Sequence, residues 1–169
     1  MRAEGAVNNS YPSGLLIVRR EAPPVTLIMK TGQPVRPKTF IGGDMNPTTI
    51  DVPGLPPANA TYSQVSILGD LVFVSGQIGI DPATGRLADG GIQAQTRHAI
   101  ENIDRCLAAA GTSLDKVAKV NLYLADFGMI GAANEIYAQY FKHRPAKTGA
   151  GVDKLWGGAL IEIEVVASR

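Results

Sequence analysis

Four short stretches of the 169-residue chain carry side chains that could together hold a small carboxylate and activate a water molecule beside it. They are residues 62–64 (Tyr-Ser-Gln), 74–78 (Val-Ser-Gly-Gln-Ile), 144–148 (Arg-Pro-Ala-Lys-Thr) and 161–164 (Ile-Glu-Ile-Glu). The first two supply hydroxyl groups and a glycine, which lets a ligand approach the backbone closely. Lys147 supplies a cation that would neutralise a bound carboxylate, and Glu162 a carboxylate that could position water.

Other kinds of site have little support in the sequence. The two histidines, His98 and His143, have no cysteine or histidine partner at the spacing of a zinc site. The glycines of residues 85–91 lack the spacing of a phosphate-binding loop. We therefore expect chemistry without a metal or other cofactor. His98 and Cys106 fall in a predicted helix, where we expect a surface or packing histidine and a small buried apolar cysteine.

Composition argues against several classes of protein. The net charge is +1 with both signs mixed along the chain, which predicts no nucleic-acid partner. No apolar run approaches the ~18 residues of a membrane span, and no signal peptide is recognisable at the start. The single cysteine, Cys106, cannot form an internal disulfide. We expect a soluble cytoplasmic protein that does not bind membranes.

Proline content divides the chain into two parts. Nine of the 11 prolines lie within residues 1–60, where no helical periodicity is present. Proline removes a backbone donor and favours an extended conformation in the residue before it. We predict a proline-rich N-terminal extension over residues 1–46, with short strands at 15–18 and 25–29, followed by a folded domain over residues 47–169.

The folded domain shows the order β-β-α-β-α-β. Alternating residues predict strands, apolar residues at helical spacing predict helices, and Gly111 and Asp126 are typical of a helix end and a helix cap. The predicted elements are a hairpin over residues 62–74, a helix from Ile92 to Leu107, a strand over 117–124, a helix between Asp126 and Pro145, and a strand over 159–167. This order is typical of an α+β domain with two helices on one face of one sheet.

The second face of that sheet predicts an oligomer. Glu162 and Glu164 alternate with apolar residues in the last strand, so they point away from the helices. Residues 71–74, however, are apolar on both sides of their strand. Part of the second face is therefore expected to be buried against another subunit.

From about Pro47 to the C-terminus, the motifs resemble those of the Rid family (reactive intermediate deaminase, YjgF-type) in order and spacing. The motifs are residues 62–64, 73–78, 81–85 (Asp-Pro-Ala-Thr-Gly), 95–97 (Gln-Thr-Arg), 110–111, 134–137 (Asn-Glu-Ile-Tyr), 144–146 and 158–164. The resemblance implies a chorismate-mutase-like α+β fold with a mixed sheet. It also implies a homotrimer with pockets at the subunit interfaces. The implied activity is cofactor-free hydrolysis of small enamines or 2-imino acids, such as 2-aminoacrylate, to 2-oxo acids and ammonia.

The same resemblance assigns roles to individual positions. Glu162 would position or activate water, and Lys147 would bind the substrate carboxylate. The remaining pocket residues would be Tyr62, Ser75, Gly76, Asn134, Thr148 and Gly149. Lys147 departs from the pattern, because the family's active deaminases carry an arginine there. Arginine binds a carboxylate through a planar fork, whereas lysine is a flexible point charge.

This departure leaves two alternatives open. Lys147 could act as an amine nucleophile toward a carbonyl, in an enzyme of the same fold with a different substrate. The chain could also form a non-catalytic trimer that binds a ligand or a partner.

Imine hydrolysis itself needs a group that activates water and a cation that binds the substrate carboxylate. Glu162 supplies the first and Lys147 the second.

Overall fold

The computed structural model describes residues 46–58 and 61–169 of the chain. Residues 1–45 lie outside the described part. They include all but the last residue of the predicted extension and both of its predicted strands, so these stay predictions. In the described part, no helix is long and apolar enough to cross a membrane.

A six-stranded mixed sheet forms the centre of the described domain. Its strands, in spatial order, are β1 (Thr48–Ile50), β2 (Val65–Leu68), β3 (Leu71–Ile78), β8 (Ile161–Ser168), β6 (Val117–Leu124) and β7 (Ala146–Gly151). Every neighbouring pair is antiparallel except β6 and β7, which run parallel. A separate two-stranded ribbon joins β4 (Ile80–Asp81) to β5 (Arg86–Leu87) across the predicted turn at residues 81–85.

Two α-helices of the described chain cover one face of this sheet, as predicted. Helix α1 (Gly91–Ala109) buries an apolar stripe at helical spacing, and helix α2 (Ile130–Tyr140) packs beside it. The fully buried members of the α1 stripe are Ala99, Ile100, Ile103, Cys106 and Leu107. Burial raises the pKa of the Cys106 thiol to about 12, so Cys106 is the buried apolar residue expected from the sequence.

The ends of the helices follow from local chemistry. Gly111 has φ 77°, a conformation that glycine adopts without strain, and it follows the last turn of α1. The Asp126 side chain accepts a hydrogen bond of 2.8 Å from the Gly128 backbone N–H, as a capping aspartate should. This cap opens a short 3₁₀ turn, Phe127–Met129, and α2 begins after it at Ile130.

The sheet contains two strands that the sequence did not predict. Strand β7 consists of Ala-Lys-Thr-Gly-Ala-Gly, in which Thr148 is the one residue of the β-branched and aromatic types that favour strands. It forms because its backbone pairs with the buried strand β6. Strand β1 is a three-residue edge strand on β2. The last strand also differs slightly from its prediction, since it begins at Ile161 rather than at residue 159.

The sheet face away from the helices carries apolar side chains on β3 and acidic side chains on β8. Leu71 is 46% exposed and Phe73 39% exposed on this open face of β3. Glu162 and Glu164 of β8 are half-buried, whereas Ile161 and Ile163 are fully buried on the helix side. The alternation predicted for the last strand is confirmed.

Candidate active site

A β-bulge in β3 shapes the backbone at the centre of the candidate site. Val74 pairs with Val165 and Gln77 with Ile163, so β3 has one more residue than β8 between these pairs. The additional length falls at Ser75 and Gly76. A bulge bends its strand locally and re-aims side chains, which is why bulges are common beside active sites.

Gly76 leaves room for the Glu162 carboxylate. A Cβ atom added to Gly76 would overlap this carboxylate, lying 2.7 Å from Cδ and 3.0 Å from Cγ of Glu162. Strand pairing brings the two residues together, because Glu162 is the β8 partner of Ile78. The carboxylate therefore lies directly against the bulged backbone of β3, where a side chain would otherwise stand.

The two glutamates of β8 lie in different electrostatic environments. Glu164 accepts hydrogen bonds from Asn121 Nδ2 (2.7 Å) and Tyr123 Oη (3.0 Å). Glu162 accepts none from the residues that the structure describes. Burial, and secondarily the negative charge of Glu164, raise the pKa of the Glu162 carboxyl above its ordinary value. Of the two, Glu162 is thus the carboxylate whose oxygens accept no hydrogen bond from the described residues.

A cavity of about 570 Å³ opens beside Glu162. Its lining includes Tyr62, Ser75 and Gly76, the three residues predicted to line the pocket from this side. The Ser75 hydroxyl donates a 2.7 Å hydrogen bond to the Ser63 carbonyl, which fixes the entry of β2 against β3. Tyr62 is 50% exposed at the rim, so it is accessible to a ligand.

Lys147 lies on the other side of the sheet in the same chain. It pairs with Val120, whose side chain is fully buried under the helices, so Lys147 points toward the helix side at the β7 edge. There its Nζ donates a 2.6 Å hydrogen bond to Asn134 Oδ1 and lies 4.4 Å from the Tyr137 ring centroid. Partial loss of hydration lowers the pKa of the Lys147 ammonium.

The two residues after Lys147 take separate positions. Thr148 pairs with Asn121 and accepts a 2.5 Å hydrogen bond from Lys119 Nζ. Gly149 lies near α2, where an added Cβ would be 3.6 Å from Ile130 Cδ1. Strand alternation therefore sends Thr148 to the side of the sheet opposite to Lys147.

Within one chain, six of the eight predicted site residues thus form two groups, and Thr148 and Gly149 belong to neither. Tyr62, Ser75, Gly76 and Glu162 share one cavity. Asn134 and Lys147 form a second group at the edge of the sheet and α2. The sequence could not predict this separation, since it depends on the parallel register of β7, a strand whose composition gave no signal.

The structure also bears on metal binding and on residues to which the sequence analysis gave no role in the site. In the described ranges, no three His, Cys, Asp or Glu side chains are grouped as metal ligands. His143 Nε2 lies 2.8 Å from the Val117 carbonyl, so it serves a structural contact. Gln77 and Trp156 also line the Glu162 cavity. Gln77 belongs to one of the family motifs, whereas the loop position of Trp156 in the sequence favours packing at an interface over stacking on a ligand.

Comparison with known proteins identifies the family. A model of the family described as Endoribonuclease L-PSP matches residues 54–169. A solved structure from Yersinia pestis, described as a member of the conserved Rid protein family, superposes with a TM-score of 0.70 at 38% identity, covering 73% of this chain and 100% of that one. The chain belongs to the Rid (YjgF-type) family. This confirms the family and the α+β fold expected from the sequence motifs.

Curated relatives within the Rid family include two informative proteins. A RutC family protein of Pyrococcus horikoshii is 45% identical over 109 residues, which cover 64% of this chain and 86% of the relative. The human 2-iminobutanoate/2-iminopropanoate deaminase is 41% identical over 113 residues, covering 66% of this chain and 82% of the human protein. Both alignments span most of the relative's own length.

Proposed function

We propose that this Rid-family protein hydrolyses 2-imino acids, and their enamine tautomers, to 2-oxo acids and ammonia. The observation that carries the proposal is the Glu162 carboxylate, which lies over the bulged backbone at Gly76 beside an open cavity. Its raised pKa brings it closer to the range in which a carboxylate is an effective proton acceptor near neutral pH. The relatedness to the human deaminase, named for 2-iminobutanoate and 2-iminopropanoate, supports the same reaction type.

In this proposal Glu162 handles the protons of the reaction. Water bound to Glu162 attacks C2 of the C=N bond, and Glu162 accepts the proton that the water releases. The resulting tetrahedral carbinolamine receives a proton on nitrogen, the C–N bond breaks, and ammonia leaves. Loss of the hydroxyl proton then forms the C=O bond of the 2-oxo acid. The sum is one imino acid and one water giving one oxo acid and one ammonia.

The substrate carboxylate requires a cation, and among the described residues no lysine or arginine of the same chain lines the Glu162 cavity. Lys147 lies on the opposite side of the sheet from Glu162, held by Asn134 and the Tyr137 ring. We propose that Lys147 and Asn134 of a neighbouring subunit complete the site in a homotrimer. The exposed Leu71 and Phe73 on the open sheet face support burial against another copy. A monomer mass in light scattering at micromolar concentration would contradict this assembly.

A second candidate function follows from one observation at Lys147. Its pKa is lowered by partial loss of hydration, and a neutral amine is the form that attacks carbonyl carbon. Lys147 would then form a Schiff base with a 2-oxo acid or an aldehyde. The imine hydrolase is preferred because Lys147 is already engaged by Asn134 Oδ1, which suits an ammonium donor.

The deciding experiment is a coupled assay in which 2-aminoacrylate is generated in place by a dehydratase acting on serine. The purified chain should accelerate the release of pyruvate and ammonia above the spontaneous rate. The Glu162→Gln variant serves as the matched control, since it preserves side-chain volume and removes the proton acceptor. Equal rates with wild type, variant and no protein would refute the proposed function.

A further inference from the structure

The cavity beside Glu162 extends well beyond the reacting groups. Beside the polar groups of Glu162, Ser75 and Gln77, its lining includes several apolar side chains. These are Pro56, Pro57, Ile78, Ile80 and Trp156. A combination of a few polar groups with apolar walls is typical of a pocket that orients a ligand through its polar atoms and accommodates its apolar part.

Trp156 is presented to solvent by a short 3₁₀ turn, Trp156–Gly158. Its side chain is 76% exposed, far more than a tryptophan packed in a core. Within the turn, Gly157 has φ 65° and Gly158 φ 78°. The chain just after it is anchored, because Leu160 N–H donates a 2.8 Å hydrogen bond to Gln95 Oε1 of α1. The indole lines the Glu162 cavity and does not belong to the core cluster of the described residues.

Two of the other apolar lining residues lie in backbone segments held by hydrogen bonds. Gln64 Nε2 donates to the Pro56 carbonyl at 2.7 Å, while Gln64 Oε1 accepts from the Val52 N–H. Asn102 Nδ2 donates to the Ile80 carbonyl at 2.9 Å. Both amide side chains are almost fully buried. These parts of the cavity wall are therefore held in place before any ligand binds, which lowers the entropic cost of binding.

The size of the cavity exceeds the needs of a three-carbon substrate. Pockets of about 300–1,000 Å³ accommodate drug-sized ligands, and this cavity measures about 570 Å³. A 2-aminoacrylate molecule held at Glu162 would fill only part of this cavity of the single chain. An apolar pocket discriminates by about 10–200-fold for each methylene that it accommodates.

We propose that the preferred substrate carries a bulky apolar side chain, branched aliphatic or aromatic, which lies against the Trp156 indole. This inference rests on the proposed function, since it assigns the reacting end of the substrate to Glu162. Trp156 is then the specificity-determining residue of the site. Small imino acids would still react, because their reacting atoms meet the same Glu162.

The inference is tested by comparing kcat/KM across a series of imino-acid substrates. An amino-acid oxidase generates the 2-imino acids of alanine, leucine and phenylalanine in place, and 2-oxo acid release gives kcat/KM. We expect at least about tenfold higher kcat/KM for the leucine or phenylalanine imine than for the alanine imine. Trp156→Ala should remove this preference, while Trp156→Phe should retain most of it. Lys154→Ala, an exposed neighbour outside the cavity lining, is the matched loop control and should keep the preference.

A wild-type preference for the alanine imine, or an unchanged preference in Trp156→Ala, would overturn the inference and leave imine hydrolysis standing.

Binding provides a second measurement that does not depend on turnover. Trp156 is the only tryptophan in the chain, so intrinsic tryptophan fluorescence reports on this position alone. Titration with 4-methyl-2-oxopentanoate should change the emission at concentrations at least about tenfold lower than pyruvate, in the wild type and in Glu162→Gln alike. If neither acid changes the emission, or both act equally, the inference is wrong. If the preference is present but no imino acid is turned over, the proposed function fails and the apolar subsite stands.

Discussion

The Glu162 carboxylate occupies the space that a side chain at position 76 would need, because an added Cβ on Gly76 would lie 2.7 Å from Cδ of Glu162. The glycine and the glutamate come from neighbouring strands, and the bulge in β3 brings them together. The position of the proposed proton acceptor therefore depends on the absence of a side chain from another strand.

Replacement of Gly76 should impair catalysis through Glu162. Gly76→Ala forces the carboxylate to move, so we expect a loss of roughly 10²–10⁴-fold in kcat, the usual contribution of a positioned general acid–base group. Gly131→Ala is the matched control, because no atom lies within 4 Å of a Cβ added at this exposed position of α2. The activity of both variants is measured as the initial rate with imino-acid substrates. Full activity in Gly76→Ala would show that the carboxylate position is not required.

The acid limb of the pH–rate profile should reflect the environment of Glu162. Its pKa is raised by burial and then by the charge of Glu164, so activity should fall at a higher pH than the ordinary value of about 4.3 for glutamate would give. Glu164→Gln removes the second cause and should move the limb to lower pH, with kcat at neutral pH little changed. If Glu164→Gln is inactive and Glu162→Gln keeps the full rate, the roles of the two residues are reversed.

The same shift predicts the pH dependence of stability. Because folding raises the pKa of Glu162, the stability that this group contributes is fully present below its unfolded pKa and is lost as the pH rises through the folded value. Glu162→Gln should therefore have a higher melting temperature than the wild type at pH 7, and the difference should shrink toward pH 4. Thermal unfolding at both pH values measures this. A difference that grows on acidification would contradict the direction of the shift.

Substitutions at Lys147 should separate carboxylate binding from nucleophilic catalysis. Lys147→Arg should keep or improve activity on 2-imino acids, because guanidinium offers two parallel hydrogen bonds to a carboxylate. Lys147→Met should raise KM by about 10–100-fold, since hydrogen bonds to charged groups contribute about 1.5–3 kcal/mol. Lys142→Arg, another exposed lysine, is the control. Inactivity of Lys147→Arg, with a borohydride-trapped adduct on Lys147 in the wild type, would favour the Schiff-base enzyme.

Residues 1–46 are predicted to be dispensable for folding. A chain that begins at Pro47 keeps β1 and the buried Val52, and its melting temperature should match that of the full chain. A chain that begins at Gly54 should melt roughly 3–12 °C lower, because burying a valine contributes about 1.5–3 kcal/mol and 1 kcal/mol corresponds to about 2–4 °C. Equal destabilisation by both truncations would show that the N-terminal residues stabilise the domain.

The predictable parts of the fold are those with a strong periodic pattern. Helix α1 was predicted because its apolar stripe and Gly111 agree, and β6 and β8 because their alternation matches a sheet with one covered face. Strand β7 was missed because its glycines and alanines have no strand preference of their own. Its structure comes from pairing with β6, which is a tertiary effect that a local pattern does not contain.

The candidate site was predictable to a similar degree. The alternation in β8 placed Glu162 away from the core, and this is confirmed by the burial of Ile161 and Ile163. The close approach of Glu162 to Gly76 follows from a bulge that the sequence did not reveal. The side of the sheet taken by Lys147 depends on the register of a strand that was itself missed. Family motifs identified the residues, whereas strand pairing decided which of them meet within one chain.

Cys106 can serve as a chemical probe of local unfolding of the domain. The thiol is fully buried in the last turn of α1, and its pKa, raised by burial to about 12, leaves almost no thiolate at neutral pH. An alkylating reagent can therefore reach it only when the core separates, so the rate of modification measures how often α1 leaves the sheet. For the same reason, a cysteine introduced on the surface would react first, and a single dye or spin label could be attached there without altering the native sequence elsewhere.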